Sequence, residues 1–109
     1  MNKRWRNFLL EETEISKLKR YEATFSISIA SDITEALLHI RAIPNVTTVY
    51  KTGKARELQG FTSINLVNVK FILEPHENSY TYLNHVLKPK MLEVEGLHII
   101  NFKGLEELD

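Results

Sequence analysis

The sequence predicts an α+β domain: a four-stranded antiparallel sheet with two helices on one face. Three observations predict it. Glu22 to Ala30 and Thr62 to Leu73 alternate apolar and polar residues with the period of a strand. Ser31 to Ile43 and His76 to Gly96 repeat apolar residues with the period of a helix. The elements come in the order strand, helix, strand, strand, helix, strand.

In the first strand, Phe25, Ile27 and Ile29 alternate with Thr24, Ser26 and Ser28, which defines one apolar and one polar face. Ser31 or Asp32 then offers a side-chain oxygen as a helix cap, with Glu35 placed as in a capping box. Ile33, Ala36, Leu37, Ile40 and Ile43 form the stripe that helix buries. Pro44 stops it, lacking an N–H and disfavouring helical geometry at Ile43, and Asn45 suits the turn. "VTTVYKT" is the second strand, rich in β-branched and aromatic residues. Gly53 to Gly60 is a hairpin connection, and the third strand sets Val67, Val69, Phe71 and Leu73 against Leu66, Asn68, Lys70 and Ile72. Tyr80, Leu83, Leu87, Met91 and Val94 carry the rhythm of the second helix, with a kink or break expected at Pro89. "LHIINF" is a short last strand.

This is the order of the split βαβ, or ferredoxin-like, arrangement (βαββαβ), whose usual strand order is 4-1-3-2. The first and third strands would be central, leaving Thr24, Ser26, Ser28, Asn68 and Lys70 on an open sheet face. The chain divides into an N-terminal arm at 1–21, the ferredoxin-like domain at 22–103 and an acidic C-terminal tail at 104–109. "ITEALLHIRAIPNVTTV" resembles the first helix and second strand of small ferredoxin-like regulatory domains, the ACT domains and the effector domain of the leucine-responsive regulators. Those families commonly write the joint as "IPGV" or "LPGV", where this chain has Asn45. ACT domains place a glycine in the loop after the first strand, where this chain has Ala30-Ser31-Asp32. Leucine-responsive regulators carry a helix-turn-helix ahead of the domain, where this chain has about twenty residues. The resemblance implies a fold and a tendency to self-associate through sheet faces or edges. It carries no ligand across.

Composition excludes more than it assigns. Fourteen basic and fourteen acidic residues cancel, so no net field draws the protein to nucleic acid or an anionic membrane. There is no cysteine, hence no disulfide or thiolate metal site. No apolar run approaches the ~20 residues of a membrane span, and the start lacks a secretory h-region, so the expected location is the cytoplasm. The N-terminal segment is basic and the C-terminal one acidic, as two solvated or mutually attracted ends.

Candidate chemistry is sparse. His39, His76, His85 and His98 share no metal-type spacing, and no metal or cofactor is expected. Asp32 and Glu35 are explained by capping, and no Gly-x-Ser-x-Gly elbow is present, so no catalytic residue is assigned. Lys51, Lys54 and Arg56 make a basic hairpin that could meet a phosphate or an acidic surface, though the phosphate-loop motif is incomplete. No aromatic falls on the open face of the first and third strands, which argues against RNA binding by stacking. Trp5 and Phe8, flanked by Arg4 and Arg6, have the composition of an interface anchor. The expected function is a non-enzymatic, self-associating module with a structural or regulatory role through protein contacts. A phage-encoded or virion-associated setting suits it. An ACT-like small-ligand sensor, binding at a subunit interface, is the alternative.

Overall fold

The computed structural model describes residues 18–30, 32–58 and 62–108, the side chains of 54–58 and 62–63 excepted. It is α+β, with β1 (Lys19–Ile29), α1 (Ile33–Arg41), β2 (Val46–Leu58) and β3 (Thr62–Leu73). A second helical segment follows, made of α2 (Ser79–Tyr82), a π-helical turn (Leu83–Leu87) and α3 (Lys88–Met91), and β4 (Leu97–Leu108) closes the chain. The strands form one antiparallel sheet in the order β2-β3-β1-β4. The two cleanest alternators, β1 and β3, are its central strands.

Alternation decides the core. Ala23, Phe25 and Ile27 of β1 and Val67, Val69 and Phe71 of β3 are fully buried, and they share one cluster with Ala36 and Ile40 of α1 and Leu83, Leu87 and Met91 of the second helical segment. Both helical segments thus cover the same face. Each large apolar side chain buried this way contributes about 1.5–3 kcal/mol. Phe71 is the hub: its ring lies 5.6 Å from that of Tyr21 and 4.7 Å from that of Tyr82.

The helix ends follow their local chemistry. Asp32 caps α1, its carboxylate accepting from the Thr34 amide at 2.8 Å. Asn78 caps α2, accepting from the Tyr80 and Thr81 amides. Asn45, past Pro44, takes a left-handed φ of 74°, which asparagine tolerates better than most residues. Its carbonyl then accepts from the Ile72 amide at 3.0 Å, joining the turn to β3.

Four expectations are corrected in detail. Pro89 does not end the second helical segment. A π turn precedes it, with Lys88 N–H bonded to the Leu83 carbonyl, and this wider turn makes room for the proline ring. Tyr80 is 55% exposed, and the neighbouring Tyr82 is the buried ring. β1 already begins at Lys19, and β4 runs to Leu108, so most of the stretch read as an acidic tail pairs with β1. Its glutamates reach Glu22 and Tyr21 in register because β1 extends equally far. The hairpin connection is also shorter than Gly53–Gly60, since β2 continues to Leu58. Among the described residues, no helix is long and apolar enough to cross a membrane. Of the N-terminal arm at 1–21, residues 1–17 lie outside the described residues, and Lys19 to Tyr21 belong to β1.

Candidate functional site: the sheet face away from the helices

The far face, turned away from the helices, is built in rows across the sheet. Glu22 of β1 pairs in register with Lys70 of β3 and Glu106 of β4; Thr24 pairs with Asn68 and Gly104; Ser26 pairs with Leu66 and Asn101; Ser28 pairs with Ile64 and His98. On the other side of β3, Lys70 meets Thr48 and Asn68 meets Tyr50.

A lattice of side-chain contacts links these rows. The Tyr50 hydroxyl donates to a Glu22 carboxylate oxygen across the intervening strand β3. The Lys70 ammonium sits 5.5 Å from the centre of the Tyr50 ring, a cation–π contact. Asn68 uses both ends of its amide: Nδ2 donates to Thr24 Oγ1 at 3.1 Å, and Oδ1 accepts from Thr52 Oγ1 at 3.1 Å. The Glu22 bond and the nearby negative charge favour the neutral phenol, so the Tyr50 pKa is raised, with the hydrogen bond as the largest cause.

Bulges in the edge strands aim these groups. The register of β2 against β3 skips Thr47 and Thr52; the Thr47 hydroxyl donates to the Lys70 carbonyl at 3.1 Å, and the one Thr52 hydroxyl proton is shared between Asn68 Oδ1 at 3.1 Å and the Leu66 carbonyl at 3.3 Å. A bulge inserts one residue and re-aims those around it. In β4 the register skips Ile100 and Lys103. Ile100, opposite Ser26 beside Asn101, is 51% exposed.

The structure brings together three of the five residues assigned to this face from sequence: Thr24, Asn68 and Lys70. Ser26 and Ser28 lie on the same face but are only 8% and 6% exposed. They form the floor of a trough along β1, beside the larger Ile64 and Leu66 of β3. Lys51 is exposed on β2, and Lys54 and Arg56 lie further along that strand, their side chains outside the described residues. Trp5 and Phe8 also lie outside them. Sequence reasoning missed Tyr50 and Glu22. Glu22 was readable from the parity of β1, two residues before Thr24. Tyr50 was not, because the bulge at Thr47 breaks the parity of β2.

Two other places hold polar groups. Glu74, His76 and Glu77, all exposed, offer ligand atoms within 4.8 Å of one another at the turn after β3, and His76 Nε2 lies 3.1 Å from a Glu74 oxygen. Exposed acidic groups of this kind commonly hold no ion, and nothing further at the turn points to one. A groove of about 490 Å³ lies between Pro44–Asn45 and the second helical segment, lined by Tyr82, His85 and Val86 among others. The Tyr82 hydroxyl is committed there to the Pro44 carbonyl.

Compared with known proteins, the chain matches no family model and no curated relative.

Proposed function

We infer that the chain is a ferredoxin-like module that associates with copies of itself and serves a structural or regulatory role through protein contacts, without catalysis. The strand order, with β1 and β3 at the centre, supports the fold assignment. One observation carries the functional reading: the polar groups around Tyr50 and Asn68 on the far face bond to one another. Tyr50 is held by Glu22, and Asn68 by Thr24 and Thr52, so these groups are spent on mutual contacts rather than aimed at a common point where a substrate atom could sit. Beside them lie the half-buried aliphatic residues Ile64, Leu66 and Ile72 and the exposed Ile100. Polar groups bonded to one another next to aliphatic side chains have the make-up of a contact surface. Zero net charge places no long-range repulsion between copies. Such a module suits an assembled particle, a virion included.

Sedimentation equilibrium tests the reading. A mass above one chain at tens of micromolar is expected, and a clean monomer there overturns it.

A further inference from the structure

The rows of the far face have a property that pairing within one chain does not require. Strand β3 presents large side chains, Ile64, Leu66, Asn68 and Lys70. Strand β1 presents small or acidic ones in the same rows, Ser28, Ser26, Thr24 and Glu22. The face is a ridge beside a trough, and the two Ser side chains lie at the trough's floor.

We propose that two copies pack far face to far face about a twofold axis running parallel to the strands between β1 and β3, so that the β3 ridge of each fills the β1 trough of the other. This rests on the self-association reading and names its surface. The operation keeps every row in place and exchanges the strands laterally. Leu66 then faces the partner's Ser26, and Ile64 faces the partner's Ser28, large against small. Asn68 faces the partner's Thr24. Lys70 faces the partner's Glu22, opposite charges.

The outer strands are exchanged by the same operation. Strand β2 comes to lie over the partner's β4. Tyr50 leans away from that crossing, across β3 to Glu22 and beside Lys70, so its ring lies within the Lys70–Glu22 row of the interface. Thr48 faces the partner's Glu106. Such a contact is isologous, as most dimers are, and aligned packing of sheets about 10 Å apart accommodates it.

The area is sufficient. Four strands about 4.8 Å apart, each contributing about nine residues at about 3.3 Å, span on the order of 600 Å² per copy. Two copies therefore bury on the order of 1,200 Å², above the roughly 1,000 Å² expected of a specific interface.

Charge reversal in separate chains tests the pairing. Lys70→Glu sets a carboxylate against the partner's Glu22, and Glu22→Lys sets an ammonium against the partner's Lys70. Each variant alone is expected to sediment with the mass of one chain, with circular dichroism confirming that it stays folded. Mixing the two folded variants is expected to restore the mass of two chains, because each unlike pair then meets across the interface. No intrachain effect can produce that rescue. A wild-type dimer or larger assembly that neither variant weakens, or a mixture that stays monomeric, overturns this pairing and leaves self-association standing. A wild-type monomer at tens of micromolar overturns both, whether the face stays open or is covered from within the chain.

Discussion

The Tyr82 hydroxyl donates a hydrogen bond to the Pro44 carbonyl, tying the second helical segment to the turn that ends the first helix. The two groups are 38 residues apart in sequence. Tyr82→Phe keeps the ring against Phe71 and removes only this bond. It is expected to lower unfolding free energy by about 1 kcal/mol, the usual worth of an intramolecular hydrogen bond. Urea unfolding of the two proteins checks it, and an unchanged midpoint would show the bond to be idle.

The same hydroxyl predicts an alkaline limit. Burial pushes the Tyr82 pKa up to about 12, from the 10 of a free tyrosine. Between these values the unfolded chain releases the proton and the folded one keeps it. Stability from this group is complete below pH 10 and falls as pH rises toward 12, by up to about 1.4 kcal/mol per unit. Tyr82→Phe should flatten the pH dependence of the melting temperature in that window. A slope identical to wild type would refute the assignment.

Tyr50 should report its contact with Glu22. That contact holds the phenol neutral, so Tyr50 ionises above the ordinary tyrosine range. Glu22→Gln removes the negative charge and is expected to bring the Tyr50 titration back toward 10. Ring resonances of labelled tyrosine, assigned through Tyr50→Phe, follow it directly. The contact is not the controlling one if the titration stays where it was.

Phe71 should be the most costly ring to remove. It is fully buried between Tyr21 and Tyr82 and joins the sheet to the second helical segment. Phe71→Ala is expected to cost about 3–5 kcal/mol through lost burial and the cavity left behind. Denaturant unfolding measures this, and a loss below about 1 kcal/mol would mean that the neighbours collapse into the space.

Asn45 occupies the left-handed region at φ 74°, where a β-branched side chain is strained. Asn45→Val is expected to cost about 1–2 kcal/mol, while Asn45→Gly should fold with little change. Equal melting temperatures for the two variants would show that the turn relaxes.

Much of the fold was legible because its causes are local. A strand with one buried face must alternate, and residues 23–29 and 67–71 do so without interruption. The Asp32 cap, the Pro44 stop and the turn at Asn45 act within a few residues of themselves. The far-face positions of Thr24, Asn68 and Lys70 followed from the same parity.

Sequence alone therefore determined the α+β class, the order of the elements, the central pair of strands and the side of the sheet the helices cover. Tertiary structure decided the rest. Parity carries no information past a bulge, and at two of the bulges Thr47 and Thr52 turn their hydroxyls to carbonyls on another strand. That is what places Tyr50 over Lys70 and within reach of Glu22. Tyr80 and Tyr82 both fit a helical pattern, and only the position of Phe71 and the Pro44 carbonyl selects Tyr82 for the interior. The length of β4 is likewise set by its partner: Gly104 to Leu108, a glycine, two glutamates and two leucines, lack the β-branched and aromatic residues of a strand, and pair as one along the edge that β1 offers.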